Sequence, residues 1–577
     1  MIARRHRLLQ AAQLLLQRDQ IGRAGEDVLP QAQRGSGCCT QGGPLRVPRT
    51  RSVLQRRPLV VQRDTRPLLE RELAALERGL AAEGSQQRRL AGAVGPGERD
   101  AVAALDLERD AVEERVAREL LAEIGCDQHG HAVRVRRVTR VLALDIGTSS
   151  VRAHIYGPTA AERGRPARHE YPGETDPARI LRLVRRAIRE AGGAKSVDAV
   201  AASCFGHSLL GLGRDGDPLT PILGWRDTRS ADAADRLARM VDPVAVHART
   251  GCFVHTSFWP AKLAWLAEQQ PRLFRRARFV SFAEYLYAEL LKEDVPTSLS
   301  LASGTGLVDL RAGGWDAELL SLLRIGPNRL PRISDEPVGN WYPALIDGAC
   351  SNAGAGCVTR DRAALMVGTS GALRTVYETA GPHPRPGLFL YRVDDRRVVE
   401  GGALSDGGNL HHWLTDTLGA KGSLANRDPD SHGLTFLTVL GGERSPGWHP
   451  HATGAVHGLT LDTTALDLRQ AALEGVAFRF AEILDLMPEV EELVATGGAL
   501  LHDMDWVQIM ADALARPVTV SRVREASLRG AAVLTLERLG ETPREAALGR
   551  VFTPRADRAE AYRAARDRQR RLYELVT

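Results

Sequence analysis

The first 138 residues of this 577-residue chain contain no Phe, Tyr, Trp, Lys or Asn. Without aromatic side chains, which bury the most area per residue, such a stretch can build at most a thin core. It also holds 24 Arg against 18 acids, whereas residues 139–577 hold 53 basic and 53 acidic side chains. The sequence pI near 9.0 therefore describes the Arg-rich extension. A charge-balanced remainder carries no electrostatic footprint for nucleic acid.

Metal-binding cysteine pairs are missing too. Cys38, Cys39, Cys126, Cys204, Cys252, Cys350 and Cys357 form no C-x-x-C and have no His partner at metal spacing, which argues against a zinc framework. An odd, scattered set of thiols suits the reducing cytoplasm. No apolar run approaches the roughly 20 residues of a membrane span. The start, MIARRHRLLQAAQLLLQRDQ, is basic, but Gln breaks its apolar stretch and no small-residue cleavage site follows. It reads as neither signal nor anchor.

The composition, 43% hydrophobic and 26% charged, is that of an ordinary soluble globular protein. The length requires two or more domains. Within the extension, LLERELAALERGL and DAVEERVARELLAEIG place apolar residues at helical spacing, so two amphipathic helices are expected between Arg66 and Glu123. The extension otherwise reads as poorly ordered, or as an upstream stretch foreign to the native protein. A regulatory or nucleic-acid arm is the alternative.

From Arg140 short apolar runs alternate with helical patterns. RVLALDIG and SVRAHIYG predict two strands joined by a Gly-Thr-Ser turn, and SVDAVAAS predicts another buried strand. Between them Asp176–Ala191, opening with Asp-Pro, predicts a helix. Strands interleaved with helices indicate an α/β fold.

One turn occurs twice. Ala143–Arg152 reads ALDIGTSSVR and Ala364–Arg374 reads ALMVGTSGALR. Backbone N–H groups around such a glycine form an anion-binding nest, to which Thr and Ser hydroxyls add donors. Neither copy is a Walker A loop. A single copy could be an ordinary tight turn; two copies suggest two related domains gripping a polyphosphate from opposite sides. Only the first contains an acid, Asp145, where the second has Met366. An acid beside phosphates calls for an intervening cation, so Asp145 reads as organising Mg2+. A third glycine turn, ELVATGGALLHD, precedes a helix pattern over Trp506–Arg516 and a strand over Val518–Val520. It could bring backbone close to a flat ligand, or simply join strand to helix.

With these turns in this order, the chain resembles the FGGY carbohydrate kinases. The resemblance extends through GAVHGLTLDTTALDLRQAALE at Gly454–Glu474 and through SLLGLGRDGDPLTPILGWRDTRS, ASGTGLVDL, DGACSNAGAGC, EGGALSDGG and GERSPGW. It covers residues 139–577. It implies two actin-like ATPase (ribonuclease H-like) domains with a cleft between them, expected at 139–377 and 378–577, and ATP with Mg2+ as cofactors. Carried over, Gly147, Thr148, Ser149 and Ser150 form the first phosphate turn and Gly368, Thr369 and Ser370 the second. Gly497 and Gly498, with Gln508 and Asp512, lie at the adenosine. Asp347 is the acid that accepts the sugar hydroxyl proton, with Asp145 beside it. His207, Trp225, Asp227 and Arg229 contact the sugar. HSLLG, GWRDTRS and RTGCFVHTSFWPAKLAWL look most like the gluconate kinase branch, with Arg229 as partner for a substrate carboxylate.

Bland roles stand beside these. His207 could be a satisfied structural histidine, and Asp347 could cap the small-residue helix that follows it. The segment before Asp347 is short, and Ile346 stands where the family usually has Gly. A xylulose, ribulose or glycerol kinase, an actin-like ATPase, and a weak sugar sensor remain alternatives, and a homodimer stays open.

Overall fold

Strand β1 (Val141–Ile146) has all six residues buried. It pairs antiparallel with β2 (Ser150–Tyr156) and parallel with β4 (Ala199–Cys204). A central strand covered on both faces reads as a continuous apolar run, as VLALDI does. With β3 (Glu162–Glu170) and β5 (Leu345–Ile346) the first sheet has the order β3-β2-β1-β4-β5. The computed structural model describes residues 138–577. The extension, with the two helices expected there and Cys38, Cys39 and Cys126, lies outside the described residues.

Helix α1 (Pro177–Glu190) links the first hairpin to β4. The Asp176 carboxylate accepts the Ala178 N–H at 2.9 Å and Pro177 occupies the first turn, which fixes the start. Its apolar stripe, Ile180, Leu181, Val184 and Ile188, is buried.

The second sheet repeats this plan. Strand β6 (Arg362–Val367) pairs antiparallel with β7 (Gly371–Glu378) and parallel with a later strand, β10 (Glu492–Thr496). Strands β8 (Phe389–Arg392) and β9 (Arg397–Leu404) extend one side, β11 (Val518–Ser521) and β12 (Leu548–Phe552) the other, in the order β8-β9-β7-β6-β10-β11-β12. The expected divide at residue 377 therefore moves. Strands β6 and β7 belong to the second sheet, because their hairpin is its centre, and the divide falls ahead of Arg362.

Helix α2 (Asp347–Ala355) runs from the end of β5 toward the second sheet. Later helices are α3 (Gly408–Leu418), α4 (Ala465–Asp485), α5 (Met504–Leu514), α6 (Ala526–Arg538) and α7 (Ala559–Val576). Helices α2 and α6 touch backbone to backbone. A methyl on Gly354 would fall 1.8 Å from the Ala526 carbonyl oxygen, and one on Gly530 would fall 1.7 Å from that of Cys350. Only glycine permits that approach.

Helix α4 opens with the second part of the family-like signature, and its residues show why. Thr464 and Asp467 form a reciprocal capping box. Gln470 donates to the Asp428 carbonyl at 2.8 Å, and the buried Glu474 carboxylate meets His432 at 3.1 Å. The signature is a core helix that staples the loop preceding it. Among the described residues, no helix is long and apolar enough to cross a membrane.

Candidate active site

Each Gly-Thr-Ser turn closes on its own glycine, the first over four residues and the second over three. Gly147 N–H donates to the Ser150 carbonyl at 2.9 Å, and Gly368 N–H to that of Ser370 at 3.0 Å. Thr148, Ser149 and Thr369 are exposed, whereas Ser150 is buried. The second turn is joined by two other segments. Gly408 N–H donates to the Gly368 carbonyl (2.9 Å) and Asn409 N–H to that of Thr369 (3.0 Å), at the start of α3. Gly497 has φ +86° and a methyl there would sit 2.4 Å from the Val367 carbonyl oxygen, so this turn requires glycine. The second and third turns thus meet through the parallel pairing of β6 and β10. Gly498 begins the short helix after the third turn.

Asp145, at the end of β1, faces its Cα partner Arg152 on β2, and Arg152 Nη1 donates to Asp145 Oδ2 at 2.6 Å. Arg152 Nε also reaches Glu525 at 3.1 Å. Burial nonetheless pushes the Asp145 carboxyl up, against the pull of Arg152. Asp347 opens α2, and Ile346 holds the cap position without a side-chain bond. Its carboxylate accepts the Gly206 N–H at 3.3 Å, across from the first sheet. Helix capping is therefore not its role. Burial raises its carboxyl, the Arg374 guanidinium opposes that, and Asp145 adds repulsion. The Ile346 side chain fills space where Gly206 and Gly304 lack side chains; a methyl on either would fall within 2.7 Å of it.

Asp347 lines a cavity with His207, Trp225, Ser370, Arg374 and Arg444. His207 has φ +64°, a conformation few non-glycine residues hold. Two bonds hold it there. Its carbonyl accepts from Lys262 Nζ at 3.2 Å, and its Nδ1 lies 2.6 Å from the Gly304 carbonyl oxygen. A carbonyl only accepts, so Nδ1 carries the proton and Nε2 is left as an acceptor. Burial lowers the ring to about 3, and it is neutral at physiological pH. Lys262 is itself pushed down to about 7 by burial.

Two sets of expected site residues are paired away from the cavity. Arg229 is exposed and forks onto Asp227, with Nε–Oδ1 2.9 Å and Nη2–Oδ2 2.6 Å, and its guanidinium lies over Trp265 at 4.7 Å. Neither residue lines the cavity; the pair satisfies itself two residues apart. Gln508 and Asp512 are likewise committed elsewhere. Gln508 Nε2 donates to Asp512 Oδ1 (2.9 Å) and to the Thr553 carbonyl (3.0 Å), while Arg555 donates to both Asp512 oxygens through its N–H (2.8 Å) and Nη2 (2.6 Å). The buried Asp512 anchors the segment after β12 and has no oxygen left over.

Arg374 and Arg444 were not anticipated as site residues. Both had a signal: Arg374 ends the second copy of the repeated turn, and Arg444 stands in GERSPGW. Trp448, which closes the same motif, and Tyr391, which stands in none of the motifs, also line the cavity.

Comparison with known proteins agrees with this architecture. Residues 140–349 match the N-terminal domain, and residues 363–536 the C-terminal domain, of the FGGY family of carbohydrate kinases. A gluconokinase of Bacillus subtilis is 27% identical over 484 residues, spanning 73% of this chain and 93% of that relative. A glycerol kinase of Citrifermentans bemidjiense is 30% identical over 471 residues, spanning 72% and 95%. The crystal structure of a gluconate kinase from Lactobacillus acidophilus superposes with a TM-score of 0.68 at 25% identity, covering 76% of this chain and 98% of that one. A ligand-bound xylulose kinase from the same organism gives the same values. With both family domains matched in order over a duplicated actin-like fold, the chain belongs to the FGGY family of carbohydrate kinases, phosphotransferases that take an alcohol group as acceptor.

Proposed function

We propose that this kinase transfers the γ-phosphate of ATP to a hydroxyl of a gluconate-like sugar acid, with Asp347 as the proton acceptor. The observation that carries this reading is the cavity itself. There the raised Asp347 carboxyl shares one space with Ser370 of the second phosphate turn, the neutral His207 and the Trp225 ring. A carboxylate raised by burial is a stronger base than an ordinary one, which suits it to a sugar hydroxyl. His207 Nε2 accepts a second hydroxyl and the indole covers a C–H face. As the hydroxyl oxygen attacks phosphorus, its proton passes to Asp347 and the bond to the ADP oxygen breaks. Phosphoryl transfer depends mainly on positioning and charge; the first two glycine turns supply backbone donors for the nucleotide phosphates, and the third lies at the adenosine.

The donor set suits Mg2+. Asp145 and Asp347 are hard oxygen donors, close enough that Asp145 helps raise the Asp347 carboxyl, and Mg2+ typically takes one or two carboxylates with substrate phosphates and waters. Asp145 would hold it, with Arg152 fixing the carboxylate; the cation would neutralise charge on the phosphates. The gluconate branch is favoured by HSLLG and GWRDTRS and by the gluconokinase relatives. An ADP-release assay across gluconate, xylulose and glycerol tests the reading. The highest kcat/KM should be with gluconate; a clear preference for glycerol would overturn it in favour of the glycerol kinase relatives.

A further inference from the structure

The twin hairpins differ in a way that leaves a charge unanswered. In the first, Arg152 pairs with Asp145 across the strands. In the second, Met366 stands in the acid's place, and Arg374 lies opposite Ala364. The Arg374 side chain is nonetheless buried, with the residue 8% exposed. It donates Nη2 to Ser351 Oγ at 3.0 Å, and its buried Nε finds no acceptor. Gly348 makes room for the guanidinium: a methyl there would fall 2.9 Å from Nη1.

Arg444 enters the same cavity from a braced loop. Next to it, the buried Glu443 carboxylate pairs with Arg479 and accepts from Tyr573 Oη at 2.7 Å. Ser445 Oγ accepts the Ala403 N–H at 3.0 Å, and Trp448 Nε1 donates to the Gly387 carbonyl at 3.0 Å. The Arg444 guanidinium lies over Trp225 at 4.3 Å and gives Nη2 to the Leu404 carbonyl at 2.5 Å. Its Nε is enclosed without an acceptor as well. Among the described residues no carboxylate forms an ion pair with either guanidinium.

Burial lowers both groups, Arg444 to about 10, and the charge of Arg374 lowers Arg444 further. Two guanidiniums and the single Asp347 carboxylate leave the cavity wall one positive charge in excess. Buried cations with idle N–H groups are costly unless an anion completes them. We propose that Arg374 and Arg444 form the seat for the carboxylate of the acceptor sugar acid, the role that Arg229 cannot fill. Planar forks on a fixed strand and a braced loop suit a planar carboxylate. This inference rests on the sugar-acid reading above.

The test compares D-gluconate with D-glucitol, which differ only in having a carboxylate or a hydroxymethyl at one end. The full-length protein should prefer gluconate. Arg374→Met and Arg444→Met should each lower kcat/KM for gluconate by about 10–100-fold, the size of a lost charged hydrogen bond, mostly through KM. Glucitol should change by no more than about threefold, since its binding does not use the charge. Arg374→Lys, which keeps the charge without the fork, should recover part of the loss. Equal falls for both substrates, concentrated in kcat, would overturn the proposal and assign the arginines to the phosphoryl group. If the unaltered protein does not distinguish gluconate from glucitol, the sugar-acid reading fails first. Should Arg374→Met not melt cooperatively, Arg444→Met, in a loop outside the sheet, gives the same comparison.

Discussion

Replacing Asp347 by Asn separates the chemistry of this site from its architecture. The side chain keeps its size and can still accept the Gly206 N–H that Asp347 takes at 3.3 Å. What is lost is the proton acceptor. Positioned general bases contribute about 10²–10⁴-fold, so kcat should fall by that factor, equivalent to about 3–5 kcal/mol of barrier. ATP binding should barely change, because the nucleotide is assigned to the glycine turns. The structure adds a second, independent readout. Burial raises the Asp347 carboxyl above 3.8, so the native state holds this proton more tightly than the unfolded chain. Its contribution to stability is therefore fully present below pH 3.8 and is lost as pH rises through the folded value. At pH 7 the ionised group is a burden on the fold that Asn does not impose.

Asp347→Asn should thus be nearly inactive yet melt no lower than the unaltered protein at pH 7, with its relative stability improving as pH climbs from 4. The acid limb of kcat/KM in the unaltered enzyme should lie above the ordinary carboxylate range for the same reason. Steady-state kinetics, ATP titration and thermal melts at several pH values measure all of this. Near-normal kcat would remove Asp347 from the mechanism. A large kcat loss with a depressed melting temperature at pH 7 would refute the argument from burial.

Arg229→Ala should leave KM for gluconate within about twofold and cost no more than about 1 kcal/mol of stability, as for exposed ion pairs generally; a selective rise in KM for the acid would restore Arg229 to the site. Asp145→Asn should raise the Mg2+ concentration for half-maximal rate as well as lowering kcat, and an unchanged Mg2+ dependence in a titration would count against Asp145 as the cation's holder. Lys262→Met tests the buried ammonium. Burial lowers it from 10.5 to about 7, so the unfolded chain binds more protons between those values and the unaltered protein should gain stability relative to the variant as pH rises from 7 to 10. Chemical denaturation at pH 7 and pH 9.5 reads the difference, and a flat profile would mean that Lys262 keeps its charge in the fold and burial does not lower it.

The fold was legible because its signals are local and repeated. Asp176-Pro177 marks a helix start, VLALDI a central strand, and LDTTALD a capping box, each visible within a few residues. The sheet divide was not, because β6 pairs with β10, more than a hundred residues away. The site divides in the same way. Asp145, His207, Asp347 and the glycines sit in short motifs whose chemistry follows from residue type and spacing. The pairing of Asp512 was not legible, because Arg555, which takes both of its oxygens, lies 43 residues further on.

Arg229 and Arg374 show what could have been inferred earlier. A guanidinium two residues from a carboxylate in an exposed loop, as in WRDTR, can satisfy itself, and Arg229 does so. Its charge is already answered by Asp227. Arg374 stands in the opposite position, since the hairpin that repeats β1 and β2 keeps a basic residue on its second strand but replaces the acid by Met366. A repeat that retains a cation and drops its counter-ion must meet that charge some other way, and Arg374 is too buried for water to do it alone. The missing acid in a duplicated motif thus points toward a ligand more strongly than the presence of an arginine in a sugar-like loop.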